Sequence, residues 1–128
     1  MRFAALVLLA LVPVVAQDKK AANFEAWWKQ WQAAVVKKDA ASVTKGARFP
    51  MQWENGPTRD VKTAADMAAR FDFYFTPEIQ KIIAGKKPVS EGRESFTITW
   101  KARGNEYSLY FKEGPSGWAL DGLSEGPP

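Results

Sequence analysis

The sequence predicts an α+β domain in which a curved antiparallel sheet wraps around an N-terminal aromatic helix and a long, kinked third helix. Three observations carry this. Apolar residues in the first third fall at Phe24, Trp27, Trp28, Trp31 and Val35, the spacing of one helical face. A second helical stripe runs through Met67, Phe71, Tyr74 and Phe75. From Phe96 the period drops to two: Phe96, Ile98, Trp100 and Ala102 alternate with Thr97, Thr99 and Lys101, and Tyr107, Leu109 and Phe111 with Ser108, Tyr110 and Lys112. An aromatic ring buries roughly 150–250 Å², at about 25 cal/mol per Å², so a face of tryptophans needs an apolar wall of similar size. The C-terminal strands supply it, and helices gathered on one side of an antiparallel sheet make an α+β domain.

The chain opens with Met1 to Ala16, one basic residue and then an apolar run closing on Val14-Val15-Ala16. That is the pattern of a secretory signal peptide cut before Gln17, and the destination it implies is secretion, to the periplasm of a bacterium. The run is shorter than the roughly 20 apolar residues of a membrane span, which argues against the alternative of a retained anchor. One domain is expected over Gln17–Leu123, followed by a frayed tail, Ser124–Pro128.

Within that domain, Asp39 is an N-cap for a short helix over Ala40–Lys45, which Gly46 closes in the left-handed conformation. Arg48 to Trp53 alternates Phe49, Met51 and Trp53 against Arg48, Pro50 and Gln52, a half-buried strand; Pro50 places it at a sheet edge or marks a bulge. Glu54 to Pro57 turns the chain, and Thr58–Lys62 returns as a short strand. Thr63-Ala64-Ala65-Asp66 has the form of a capping box opening the long helix, with Phe73 off its stripe. Thr76-Pro77-Glu78 restarts that helix with a cap and an N1 proline, giving a kink, and Gly85 ends it. After a polar loop, Arg103-Gly104-Asn105 turns the first hairpin and Glu113 to Gly117 the second. Trp118–Leu123 is the last strand.

Composition removes several chemistries. The 128 residues contain no cysteine and no histidine, so thiol nucleophiles, serine–histidine triads and the usual zinc sites are excluded, and stability must come from packing rather than disulfides. The net charge is +4, of which the signal peptide's Arg2 accounts for one. The excess is scattered, in doublets such as Lys37-Lys38 and Lys86-Lys87, and reads as solubility rather than nucleic-acid binding. Asp60, Asp66 and Asp72 are spaced six apart and do not converge on one metal. No metal, no cofactor and no membrane contact after signal cleavage are expected.

With its first helix reading FxxWWxxWxxAVxxxD, its phenylalanine-proline strand at Phe49-Pro50, the helix ending FDFYFTPEIQKII and the closing GWALDGL, the chain resembles the nuclear-transport-factor-2-like superfamily, also called SnoaL-like or cystatin-like. Small secreted bacterial members of unknown function are the nearest in pattern. The resemblance implies a cone-shaped fold with a pocket at its open end. Members include isomerases, dehydratases and polyketide cyclases as well as non-catalytic binders, so the fold does not decide activity. The dehydratase and cyclase types use histidine, which this chain lacks. The isomerase type needs an aspartate base with a tyrosine in an apolar pocket; Asp72, Tyr74, Tyr110 and Asp121 are the residues of the right kind, and none aligns with that pattern.

No catalytic residue is therefore assigned. The residues expected to line a pocket are Trp31, Trp53, Tyr74, Trp100 and Tyr107, large aromatics whose N–H or O–H groups can orient a ligand. For Trp31 and Trp27 the competing role is core. Trp28 borders the stripe and is expected to be the most exposed of the three helix tryptophans. The leading reading is a secreted binding or accessory module for a small apolar ligand, without catalysis. The alternatives are a proton-transfer enzyme, isomerase or lyase in type, with Asp72 or Asp121 as base, and a protein-interaction subunit that homodimerises through the sheet face bearing Thr99 and Tyr110.

Overall fold

The computed structural model describes residues 23–92 and 94–128, so the expected signal peptide lies outside the described residues. Among the described residues, those up to Gln30 and those from Trp31 on fall into separate compact units, and helix α1 is residues 23–36.

In the first unit, Phe24 stacks on Trp28 with centroids 6.5 Å apart and lies 6.0 Å from Trp27. Phe24 and Trp28 are buried and Trp27 is half-buried, the reverse of the order expected for the two tryptophans. The reason is angular. Residues 24, 28, 31 and 35 fall within a narrow arc at about 100° per residue, and position 27 lies off its centre.

The second unit continues α1 and adds α2 (Ala40–Lys45), β1 (Ala47–Asn55), β2 (Thr58–Val61), α3 (Ala64–Ala69), α4 (Phe71–Tyr74), α5 (Pro77–Gly85), β3 (Val89–Ser90), β4 (Ser95–Ala102), β5 (Asn105–Gly114) and β6 (Gly117–Gly126). The Asp39 carboxylate accepts from Ser42 N–H, as an N-cap does. Gly46, however, has φ −89°, so it ends α2 without the left-handed turn; Lys38, at φ 58°, takes that conformation in the bend before α2. The long helix appears as three pieces. It breaks at Arg70 and again at Thr76, where the threonine hydroxyl caps Ile79 N–H and Pro77 stands in the first turn. Phe73 lies off the stripe and is exposed, with the Arg70 guanidinium 4.0 Å from its ring centre.

The strands form one sheet in the order β2-β1-β6-β5-β4-β3. It is antiparallel throughout except for β1 and β6, which run parallel. Pro50 therefore does not mark an edge. β1 lies inside the sheet, and its register with β6 shifts between Ala47 and Gln52, across a cis Phe49-Pro50 peptide. Gly122 makes the close approach possible: a Cβ there would stand 2.9 Å from the Gln52 carbonyl oxygen. β6 also runs further than expected. Ser124–Gly126 pair with Glu106–Ser108, so most of the expected tail is strand.

One face of the sheet is apolar, carrying Met51, Trp53, Ile98, Trp100, Tyr107, Leu109, Phe111, Leu120 and Leu123, all buried. Trp31 enters this inner face, with ring centres 5.3 Å from Phe111 and 6.1 Å from Phe75, and Gln32 donates to the Ile83 carbonyl on α5. The α+β class expected from the periodicities is the one observed, with the C-terminal half of the aromatic helix and α3–α5 packed on the sheet's inner face.

Candidate functional site

The five expected pocket residues are all buried on the inner face, in two groups. Trp31 and Trp53 meet through Phe75, 6.1 and 5.2 Å away, and Tyr74 joins them by accepting the Trp53 indole N–H on its carbonyl at 3.2 Å. The polar handles of this group are taken. Trp31 N–H donates to the Val43 carbonyl at 3.1 Å, and the Tyr74 hydroxyl donates to Asp66 Oδ2 at 2.8 Å. Burial first, and then the carboxylate it donates to, push the Tyr74 hydroxyl above its ordinary pKa.

The second group is Trp100 and Tyr107. They are cross-strand partners on β4 and β5, and their rings stack at 5.5 Å with 13° between planes. Tyr107 faces Glu125 on β6 and donates its hydroxyl to Glu125 Oε2 at 2.7 Å. Asn105 Nδ2 donates to the same oxygen and Gly56 N–H to the other, both at 3.0 Å. Three donors on one carboxylate hold Glu125 well ionised, Tyr107 contributing most. Burial, followed by the Glu125 bond, raises Tyr107.

Above this stack lies a bidentate ion pair. Arg103 Nη1 and Nη2 donate to the two oxygens of Glu78 at 2.9 and 3.0 Å, and the guanidinium lies 5.2 Å from the Tyr107 ring centre. The pair ties the β4–β5 turn to the first turn of α5. Arg103 and Gly104 have φ 52° and 79°, the two positive angles of a type I′ hairpin turn, where asparagine-glycine is the ordinary choice. An arginine in that conformation costs about 1–2 kcal/mol, which the fork on Glu78 helps offset.

Trp100 is 6% exposed, and its indole N–H has no hydrogen-bond partner among the described residues. Glu78 is near enough for the N–H to favour its charged form, although Arg103 dominates that effect and no hydrogen bond closes. A buried donor left open costs about 1–3 kcal/mol. The structure thus places a buried N–H, turned toward the Glu78 carboxylate but without a closed hydrogen bond among the described residues, at the edge of an aromatic stack, under an ion pair whose two side chains are about half exposed.

The acid–base alternatives fare differently. Asp72 is at the surface beside Lys38 at 3.4 Å. Asp121 is held by Arg48 at 3.1 Å and Lys112 at 3.6 Å, in a recess of about 270 Å³ that it shares with Gln52, Tyr110 and Ser124. The Tyr110 hydroxyl is paired with Ser124 at 3.0 Å. Asp39, Glu54, Glu78 and Glu125 are each held below the ordinary carboxyl pKa by hydrogen bonds, the opposite of what a general acid at neutral pH needs. Among the described residues no three acidic side chains are grouped to hold a metal ion, and no helix is long and apolar enough to cross a membrane.

Glu78, Arg103, Asn105 and Glu125 were not among the expected site residues. They come from three separate elements and the β4–β5 turn, and the one sequence signal was Arg-Gly in a two-residue hairpin turn.

No protein-family model and no curated protein sequence matches the chain. Among solved structures, it is similar to a DUF3225-family protein of unknown function from Pectobacterium atrosepticum, at 12% identity over 86% of this chain and 91% of that one, with a TM-score of 0.53. An NTF2-like protein with a cystatin-like fold from Novosphingobium aromaticivorans overlays at 11% identity, 92% and 86% coverage and a TM-score of 0.48, too loose to carry weight. Identities this low speak to fold alone. At that level the chain shares its α+β fold with the Pectobacterium protein.

Proposed function

We propose that this protein is a secreted module that binds a small, largely apolar ligand and performs no catalysis. The observation that carries the reading is the Trp100 indole N–H, buried without a hydrogen-bond partner among the described residues beside the stacked Tyr107. A carbonyl, ether or hydroxyl oxygen of a ligand satisfies that donor, and the ligand's apolar body lies against the indole–phenol stack. Trp31, Trp53 and Tyr74 belong to the separate packed group around Phe75.

Native mass spectrometry of the protein purified from its host tests this. A retained non-covalent mass supports the reading; a bare protein, with no adduct even at low collision energy, contradicts it. Secretion is tested by N-terminal sequencing of the protein recovered outside the cytoplasm, which is expected to begin at Gln17.

Homodimerisation is a second reading, through the sheet's outer face. Hydroxyl pairs Thr99–Ser108 and Tyr110–Ser124, 3.1 and 3.0 Å apart, satisfy one another at the middle of that face and favour it. A monomeric mass by light scattering at high concentration would remove it.

A further inference from the structure

The sheet is open beyond β3. That strand pairs through Val89 with Thr97 and Ser90 with Phe96, while β4 runs on from Ile98 to Ala102 with no strand beside it on that side among the described residues. A recess of about 470 Å³ follows this edge, lined by Lys86, Lys87, Val89, Glu91, Thr97 and Thr99. Val89 is 65% exposed there. Lys86 Nζ donates to the Thr99 carbonyl at 3.3 Å, an ammonium standing where a neighbouring strand's N–H would stand. That carbonyl therefore points out of the sheet, and strand alternation turns the N–H and C=O of Lys101 the same way.

We propose that this edge docks an extended acidic segment of another protein, which adds as a strand along β4 at Thr99 and Lys101. Backbone hydrogen bonds hold the segment, Val89 packs on its apolar side chains, and its carboxylates meet the lysines of the rim. Charge selects the partner. The recess carries Lys86 and Lys87, with the exposed Lys101 further along β4, against one carboxylate, Glu91, which accepts from the Thr97 hydroxyl at 3.0 Å. Two copies of this chain paired edge to edge about a two-fold axis would bring the same lysines together, so the edge rejects a second copy and accepts acidic chains.

The test uses a fluorescein-labelled octapeptide of alternating glutamate and valine, with lysine–valine and glutamate–proline octapeptides as controls, followed by fluorescence anisotropy and amide hydrogen exchange. Saturable binding of the glutamate–valine peptide is expected, about tenfold or more tighter than the lysine–valine peptide. Slowed exchange is expected at Thr99 and Lys101. The glutamate–proline peptide, which lacks every second N–H, should not bind, and the K86E/K101E variant should bind about tenfold more weakly. Both substitutions are at exposed positions, and a far-ultraviolet spectrum confirms folding. Four results overturn the proposal: no saturable binding, equal binding of the proline peptide, protection at other amides, or self-association that protects Thr99 and Lys101 without peptide.

Discussion

Tyr107 and Glu125 stand directly opposite each other on β5 and β6, and the phenol donates to the carboxylate at 2.7 Å. The bond joins the aromatic stack beneath Arg103 to the β1–β2 hairpin, because Glu125 also accepts from Gly56 and its own N–H donates to Glu54 Oε1 at 3.0 Å. Replacing Tyr107 by Phe keeps the stack on Trp100 and removes this donor. A loss of about 1.5–3 kcal/mol is expected in urea denaturation, the range for a hydrogen bond to a charged group. A loss below about 0.3 kcal/mol would show that the bond adds nothing.

The same contacts set the pH dependence. Glu125, Glu78 and Glu54 have folded pKa values below their ordinary 4.5. The stability they contribute is fully present above that value and is lost as pH falls through the lower folded values. Tyr74 and Tyr107 lie above their ordinary 10.0. Their contribution is complete below 10 and is lost as pH rises through the folded values. Melting temperature should be flat from about pH 5 to pH 9, falling on both sides. An E78Q/E125Q double variant should show a shallower acid limb; an unchanged limb would assign acid unfolding to other groups.

Helix α1 offers a graded test. Trp31 sits among Phe75 and Phe111 with its N–H on Val43, and Trp31→Ala should cost about 3–5 kcal/mol in guanidinium. Trp27, half-buried, should cost clearly less, under about 2 kcal/mol. Equal losses would contradict the angular argument that centres the stripe on positions 24, 28, 31 and 35.

That stripe shows how far the sequence was legible. Local chemistry was readable: Asp39 and Thr63 cap the helices they were expected to cap, and Thr76-Pro77 breaks the long helix. Trp100 and Tyr107 were placed on one face by alternation alone. What depended on distant chain was not readable. Nothing near Pro50 announces that β6 will pair with β1 in parallel, and nothing in Ser124–Gly126 announces that Glu125 will be held by Asn105, Tyr107 and Gly56. Gly46 looked like a left-handed cap because glycine is the usual residue for it, yet Lys38 supplies that bend.

Gly122 marks the hidden β1–β6 contact. A methyl group there would press on the Gln52 carbonyl, which is backbone and cannot rotate away. Gly122→Ala should cost about 1–3 kcal/mol, as overpacking does, with faster amide exchange in Gln52 and Trp53. A neutral substitution would mean that β1 slides freely along β6.

Metal has no part in this account, so a chelator should leave the melting temperature unchanged. A fall of several degrees on adding EDTA would require a site that the described side chains do not form.

The most direct measurement is the indole region of a ¹H–¹⁵N spectrum, in which the six tryptophans give separate signals, titrated with the small-molecule fraction released when host-purified protein is denatured. The account predicts that the Trp100 signal moves on binding while those of Trp31 and Trp53, already bonded to Val43 and Tyr74, stay in place. A spectrum in which Trp100 stays fixed, or in which Trp31 or Trp53 moves instead, would contradict it.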